Sequence, residues 1–227
     1  MPACRARRGR SAHGVRLAAG NQGGLVRILL YRHGATEGTV ARRYEGAGTD
    51  VALSEAGRAA LSMLPVDECV STVYTSGMLR CAQTAQILFP HARQIAVPGL
   101  REMDFGSFEG KAFADLADDG AYRQWVEGGC WGVCPGGEDR SGFTRRCVGA
   151  FSDLVDDLGR AGAEQVVIVA HAGTARAIIS SLAVPAMEYF SIETPPGGCW
   201  ELEGDGRRLE VICPPSQEGC SGGRGCA

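Results

Sequence analysis

Two continuous apolar runs, each delivering a histidine, constrain the fold of this chain most. They are LVRILLY at 25–31 and QVVIVAH at 165–171, and a glycine follows within two residues of each histidine. A short run that is apolar on both faces is typical of a strand buried in a parallel sheet. Ligands of open α/β sheets bind outside the carboxyl ends of the strands. We therefore expect His33 and His171 to face each other across a pocket.

The elements around these two runs alternate between strands and helices. Strands are predicted at 71–75 and 93–97, and two or three more close the domain near 188–193, 198–203 and 207–213. Helices are predicted at 54–64, 78–89, 138–160 and 174–182, with two short helices covering 111–127. Ser54 is the expected N-cap of the first helix, and Pro65 ends it. This alternation predicts an α/β fold with a mainly parallel sheet and helices on both faces.

The two ends of the chain differ in composition from the body. Residues 1–24 contain five arginines and no acid, and residues 214–227 are rich in Pro, Gly and Ser. Both ends are predicted to be disordered, as a basic leader and a flexible tail, with one domain spanning 25–213. An arginine-rich, acid-free leader is also typical of a transit peptide or of an upstream start codon, and these alternatives stay open.

Charge and cysteine usage restrict the classes of partner. The net charge is −3 even though residues 1–24 are basic, so the body is acidic, which argues against a broad nucleic-acid surface. No apolar run approaches the roughly 18 residues of a membrane helix. No apolar secretory segment is visible, so a cytoplasmic protein with reduced thiols is expected. The ten cysteines form no matched C-x-x-C pairs, so no metal site is predicted.

Two further segments carry candidate chemistry. Arg80 lies in the first turn of a predicted helix, where the helix dipole disfavours a cation, and such local conflicts are expected at functional sites. The loop LREMDFGSFEGK at 100–111 places Glu102, Asp104 and Glu109 among aromatic side chains. A carboxyl group that loses water to aromatic neighbours suits a general acid. An exposed arginine and a solvated acid are the plain alternatives.

As an ordered set, these motifs resemble the histidine phosphatase superfamily, which includes the cofactor-dependent phosphoglycerate mutases. The matching segments are RHG at 32–34, GTDVALSEAGRAAL at 48–61, YTSGMLRCAQTA at 74–85, LREMDFGSFEGK at 100–111, PGGED at 135–139 and VIVAHAG at 167–173. The resemblance covers about 25–213. It implies a three-layer α/β/α sandwich like that of the phosphoglycerate mutases.

The resemblance also implies a phosphomonoesterase that forms a phosphohistidine. It makes His33 the nucleophile, Glu102 the acid and base, and His171 the stabiliser of the transferred phosphoryl group. The implied phosphate-binding groups are Arg32, Arg80, Thr36, Thr39 and the N–H of Ala172. No metal or cofactor is implied, because arginines and histidines offset the phosphate charge. Thr39 departs from the common asparagine and Ala172 from a common glycine. Gly34 is expected to let the phosphate approach the backbone.

The phosphatase branch is the better match, especially the α-ribazole phosphatases of cobalamin assembly and broad-specificity relatives. The expected partner is a small phosphorylated molecule. A phosphoglycerate mutase is the alternative, although mutases usually carry a longer insertion after the glutamate segment. A non-catalytic module that binds phosphorylated ligands is an alternative from another class. It predicts a missing nucleophile or acid, yet His33 and Glu102 are both present.

Overall fold

The structure, a computed structural model, describes residues 25–215 as three layers, with helices on both faces of a six-stranded sheet. The basic leader (1–24) and most of the predicted flexible tail (216–227) lie outside the described residues. Within the described part, no helix is long and apolar enough to cross a membrane. The α/β sandwich expected from the alternating pattern is confirmed.

Six strands build the sheet in the order β3-β2-β4-β1-β5-β6. They are β1 (Val26–Arg32), β2 (Thr72–Thr75), β3 (Arg93–Ala96), β4 (Gln165–Ala170), β5 (Cys199–Gly204) and β6 (Leu209–Cys213). The first four are parallel, β5 runs antiparallel to β1, and β6 runs antiparallel to β5. The two apolar runs thus form the adjacent central strands β1 and β4, as predicted.

Six α-helices lie in the described part of the chain. They are α1 (Glu37–Val40), α2 (Glu55–Ser62), α3 (Leu79–Leu88), α4 (Gly120–Glu127), α5 (Arg140–Arg160) and α6 (Ala172–Leu182). Ser54 caps α2 as predicted, since its hydroxyl accepts from the Gly57 N–H at 3.0 Å. A 3₁₀ turn at Phe113–Leu116 and α4 occupy the segment predicted to hold two short helices.

Alternate residues of the central strands bury on opposite faces of the sheet. Leu29 of β1 packs in one cluster with Leu61 of α2 and Leu88 of α3. Its neighbour Leu30 packs in another cluster with Phe151 of α5. Because successive side chains of a strand point to opposite faces of the sheet, each central strand packs against the helices of both layers. This two-sided burial is why the strands read as continuous apolar runs.

The structure differs from the predictions at three elements. The strand predicted at 188–193 is wrong: Tyr189–Ser191 forms a 3₁₀ turn. The Ser191 N–H and hydroxyl both bond to the Glu188 carbonyl oxygen, a local arrangement that competes with pairing in a sheet. The short helix α1 was not predicted. Helix α6 begins at Ala172, two residues before the predicted start, with His171 as its N-cap.

Candidate active site

The register of the central strands brings the two histidines together. Arg32 of β1 lies opposite Ala170 of β4, so His33 and His171 are the next residues of two parallel strands. The His33 N–H continues the ladder by donating to the Ala170 carbonyl oxygen at 3.0 Å. The two imidazole rings meet edge to face, with centroids 5.1 Å apart. The two histidines thus meet at one edge of the sheet as expected, although their rings contact each other directly rather than face each other across a pocket.

The His33 ring is fixed in one tautomer. Its Nδ1 lies 2.7 Å from the carbonyl oxygen of Gly34, and a carbonyl oxygen only accepts, so Nδ1 carries the hydrogen. Nε2 therefore keeps its lone pair whenever the ring is neutral. Burial, together with the cations of Arg80 and Arg32, lowers the pKa of His33 to about 3. At neutral pH the ring thus offers an uncharged Nε2.

His171 is fully buried behind this ring. Its Nε2 lies 2.9 Å from the hydroxyl of Ser76, which follows β2. Burial, Arg80 and the neighbouring His33 hold the pKa of His171 well below its usual value. The thiol of Cys81 sits 3.6 Å from Nε2, and burial raises the pKa of this thiol to about 12. Cys81 therefore stays protonated and does not compete as a nucleophile.

Arg80 is a completely buried cation held by backbone oxygens. As predicted, it lies in the first turn of the helix after β2, namely α3. Its guanidinium donates to the carbonyl oxygens of Thr49 at 2.7 Å and of Glu45 and Gly46 at 3.2 Å, while its Nε has no hydrogen-bond partner. These carbonyl dipoles satisfy most of the donors without a full counter-charge. An anion at this place would supply the missing charge.

Arg32 precedes His33 at the end of β1. Its Nη1 donates to the Thr194 carbonyl oxygen at 2.7 Å, and its buried Nε has no partner. Burial lowers the pKa of Arg32, an effect that the carboxylate of Glu102 opposes. Arg32 and Arg80 thus place two cations around the same neutral imidazole. Both have a donor left over for a ligand oxygen.

Glu102 reaches the site from the loop that follows the 3₁₀ turn Pro98–Leu100. Its Oε2 accepts from the N–H of Gly173 at 3.0 Å, and its Oε1 accepts from the N–H of Met103 at 2.9 Å. Arg146 of α5 fixes this loop, because its guanidinium donates to the carbonyl oxygens of Gly99, Arg101 and Glu102. The carboxyl group is thereby pinned at the N-terminus of α6, close to His171. Asp104 and Glu109 instead accept from loop backbone N–H groups.

The two predicted threonines are bonded to each other. The Thr36 hydroxyl donates to the carboxylate of Glu45 and accepts from the Thr39 N–H at 2.9 Å. The Thr39 hydroxyl lies 2.8 Å from that of Thr36, whose proton is already donated to Glu45, so Thr39 is the donor of this pair. Both hydroxyl protons are therefore engaged within the protein. Phosphate binding by Thr36, Thr39 and the N–H of Ala172 stays a prediction.

The structure adds a packing role to the one expected for Gly34. A Cβ built at this position would lie 2.6 Å from Cδ1 of Leu61 and 3.3 Å from Cδ2 of Leu53. The missing side chain therefore makes room for apolar side chains of the core, one of them on α2. This contact is a packing reason for the glycine, and the approach of a phosphate to the backbone stays a prediction.

Three residues of the site had no signal in the sequence. Glu45 accepts a hydrogen bond from the Thr36 hydroxyl, and its negative charge raises the pKa of Arg32. Arg146 holds the loop of Glu102, and it pairs with Glu138 of the PGGED segment at 2.7 Å. Arg176 of α6 donates from Nε to the Ile192 carbonyl oxygen at 2.9 Å, and its positive charge lowers the pKa of Arg32. Only the folded chain brings these separated charges to one edge of the sheet.

The fold and this cluster of two arginines, two histidines and a glutamate define a family. Residues 28–213 match the sequence model of the histidine phosphatase superfamily (branch 1). The chain therefore belongs to the histidine phosphatase superfamily. This confirms the resemblance drawn from its motifs.

Curated relatives include phosphatases of different named specificity. An adenosylcobalamin/alpha-ribazole phosphatase of Salmonella typhimurium is 32% identical over 190 residues, covering 77% of this chain and 88% of the relative. A broad-specificity phosphatase of Saccharomyces cerevisiae is 26% identical over 178 residues, covering 70% of each chain. The phosphatase branch is thus represented by relatives that match most of the described domain.

Solved structures confirm the phosphoglycerate mutase-like fold. The alpha-ribazole phosphatase of Shigella flexneri superposes with a TM-score of 0.73 at 20% identity, covering 87% of this chain and 100% of that one. A phosphoglycerate mutase of Bacillus anthracis gives a TM-score of 0.69 at 17% identity, covering 87% and 95%. At these identities the likeness shows the fold alone.

Proposed function

We propose that this protein hydrolyses small phosphate monoesters through a phosphohistidine intermediate on His33. The observation that carries the proposal is the state of the His33 ring. Its Nδ1 hydrogen is bound to the Gly34 carbonyl oxygen, and its pKa of about 3 leaves Nε2 unprotonated between two arginines. A fixed, uncharged nitrogen beside a fully buried and a half-buried cation is what in-line attack on a phosphate dianion requires.

In the first step, the lone pair of Nε2 attacks phosphorus and the bond from phosphorus to the leaving oxygen breaks. Arg32 and Arg80 bind the phosphoryl oxygens and offset their charge. His171 lies 5.1 Å from His33 between ring centroids, and the arriving dianion favours its protonated form, which donates to the same oxygens. Glu102, in its protonated form, gives its proton to the leaving alkoxide.

In the second step, a water molecule attacks the phosphohistidine. Glu102, now ionised, takes a proton from this water, the phosphorus–nitrogen bond breaks, and the electron pair returns to Nε2 of His33. Inorganic phosphate leaves and Glu102 is again protonated. The N–H groups of Met103 and Gly173, at 2.9 and 3.0 Å, hold the carboxyl group in one orientation for both steps.

Within this class we propose an α-ribazole 5′-phosphate phosphatase or a broad-specificity small-molecule phosphatase. Support comes from the names of the Salmonella relative at 32% identity and of the yeast relative at 26% identity. A kinetic screen that compares kcat/KM for α-ribazole 5′-phosphate with that for simple sugar phosphates tests the choice. A preference of at least about 10²-fold for α-ribazole phosphate would establish it, and equal values would favour broad specificity.

Hydrolysis is expected to proceed without an added metal ion. The reason is that Arg32, Arg80 and His171 occupy the role that magnesium has in many other phosphoryl-transfer enzymes. We expect purified protein to hydrolyse p-nitrophenyl phosphate at the same rate with and without EDTA. Strict dependence on Mg²⁺ would contradict this mechanism.

The Glu102→Gln variant is expected to depend more steeply on the leaving group than the wild type. The amide cannot protonate the alkoxide, so loss of general acid catalysis costs about 10²–10⁴-fold when the leaving group is a poor one. With p-nitrophenyl phosphate the loss should be much smaller, because p-nitrophenolate leaves without a proton. The measurement is kcat/KM for p-nitrophenyl phosphate and for an alkyl phosphate. A uniform loss on both substrates would remove Glu102 from the acid role.

Water, rather than a second hydroxyl group, is expected to accept the phosphoryl group. The matched relatives also include a probable phosphoglycerate mutase of Cronobacter sakazakii, 30% identical over 139 residues, so a mutase is the second candidate. With 3-phosphoglycerate as substrate we expect release of inorganic phosphate. Conversion to 2-phosphoglycerate faster than phosphate release would establish the mutase instead.

A further inference from the structure

An aromatic cavity of about 250 Å³ opens beside the candidate acid. Glu102, Ala172 and Gly173 line one part of it, so it reaches the place where Glu102 would protonate a leaving group. The rest of the lining is mainly aromatic and includes Phe105, Trp125 and Phe143. Pockets with apolar walls and a few polar groups are typical sites for small molecules.

Arg140, the first residue of α5, also lines this cavity. Only 5% of its surface is exposed. Its guanidinium carbon lies 3.4 Å from the ring centroid of Trp131, 4.8 Å from that of Tyr189 and 5.2 Å from that of Phe190. These rings stabilise the cation through their faces, but they provide no acceptor oxygen for its N–H groups. Nε and Nη1 are buried without a hydrogen-bond partner.

The acids near Arg140 are engaged elsewhere. Glu138 pairs with Arg146 at 2.7 Å, and Asp139 accepts from the Gly142 N–H at 2.7 Å as the N-cap of α5. Among residues 25–215, no salt bridge includes Arg140. The start of a helix also disfavours a cation, the same conflict that Arg80 shows on α3. A buried, unpaired guanidinium is costly unless a ligand supplies the missing acceptor.

A second cation strengthens the demand for an anion. Arg176 lines the cavity too, and its Nε is bound to the Ile192 carbonyl oxygen. Within the lining, Glu102 is the acid that faces these two arginines. Even when Glu102 is ionised, the lining holds two cations and one anion.

We propose that this cavity is the leaving-group subsite and that Arg140 binds an anionic group, a carboxylate or a second phosphate, carried by the leaving alcohol. The proposal rests on the proposed phosphomonoesterase function and adds a substrate class to it. Of the two candidates within that function, it favours a phosphatase of anionic monoesters over an α-ribazole 5′-phosphate phosphatase, because the leaving alcohol α-ribazole is uncharged. Arg140 then selects phosphate monoesters with a second negative charge over neutral ones. The aromatic side chains provide the contact surface for the body of the leaving group.

Two matched substrate pairs test the selection. The first pair is 4-carboxyphenyl phosphate and 4-carbamoylphenyl phosphate, which differ in charge but hardly in shape. The second pair is propane-1,3-diol bisphosphate and 3-hydroxypropyl phosphate, so the two pairs distinguish a carboxylate from a phosphate. The measured quantity is the ratio of kcat/KM within each pair. In the wild type we expect at least one ratio to favour the anion about tenfold or more, the effect of one charge-assisted hydrogen bond.

The variant Arg140→Met should remove this preference, bringing the ratio to within about twofold of one. The matched control is Arg145→Met, an exposed arginine of the same helix, which should keep the wild-type ratio. A wild-type ratio near one in both pairs overturns the proposal, and so does an unchanged ratio in Arg140→Met. If Arg140 had only a structural role, its replacement would lower kcat/KM equally for both members of a pair. If the wild type hydrolyses none of the compounds, the proposed function fails. In that case the Kd of each compound is measured by calorimetry. The ratio of Kd within each pair, in the wild type and in Arg140→Met, then tests whether Arg140 binds the anionic group.

Discussion

His33→Ala is expected to lower kcat for p-nitrophenyl phosphate by at least about 10³-fold, as expected when a covalent nucleophile is removed. The physical reason lies in the ring itself. With a pKa of about 3, His33 is neutral across the working pH range, and its bound Nδ1 hydrogen directs the lone pair to Nε2. Cys81 does not replace it, since burial keeps this side chain in its thiol form.

The matched control for this variant is His91→Ala. His91 is an exposed histidine that follows α3 and has no part in the proposed site, so its loss should leave kcat within about twofold. Thermal unfolding followed by circular dichroism checks that both variants are folded. Normal turnover by folded His33→Ala would mean that another group attacks the phosphate.

The second large effect is expected from Arg80→Lys, which should lower kcat/KM by at least about 10²-fold. Lysine keeps the charge but loses the planar fork that reaches a carbonyl oxygen and a phosphoryl oxygen at once. Arg80 already donates to the carbonyl oxygens of Thr49, Glu45 and Gly46, so its remaining N–H groups, that of Nε included, are held in fixed directions. A flexible ammonium group in its place can donate to the carbonyl oxygens of the loop or to the phosphoryl oxygens of the substrate, but not to both at once.

Inhibition by inorganic phosphate separates a binding role of Arg80 from a purely structural one. We expect the inhibition constant to rise by at least about tenfold in Arg80→Lys, because the phosphate loses a charge-assisted hydrogen bond. Arg58→Lys, an exposed arginine of α2, is the matched control and should behave as the wild type. A lowered Tm in Arg80→Lys with unchanged inhibition by phosphate would show that Arg80 only supports the loop.

The sequence was most informative where the position of a site residue is determined by a single strand. His33 and His171 each follow a buried apolar run, and parallel strands in register place residues at the same edge of a sheet. Their meeting could therefore be predicted from the two runs alone. Arg80 could also be placed, because the conflict between its charge and the start of a helix is a local feature. The resemblance to a family added Glu102, which local patterns left as one of three loop acids.

The parts that could not be predicted depend on contacts between distant segments. Glu102 is oriented by the N–H of Gly173, and its loop is held by Arg146. No periodicity in the sequence connects these residues. The same is true of Arg140, whose burial depends on how the segment carrying Trp131 folds over the start of α5. The packing of Gly34 against Leu61 could not be predicted either, because Leu61 lies on a helix formed later in the chain.

Trapping the phosphorylated enzyme tests the central claim most directly. The protein is mixed with p-nitrophenyl phosphate, quenched within milliseconds under conditions that keep phosphohistidine intact, and analysed by mass spectrometry. This substrate should form the intermediate faster than water removes it, because its leaving group needs no proton whereas hydrolysis needs Glu102. We predict one phosphoryl group on His33, with a burst of p-nitrophenol equal to the enzyme concentration. A phosphoryl group on another side chain, or unphosphorylated enzyme with no burst, would contradict the account.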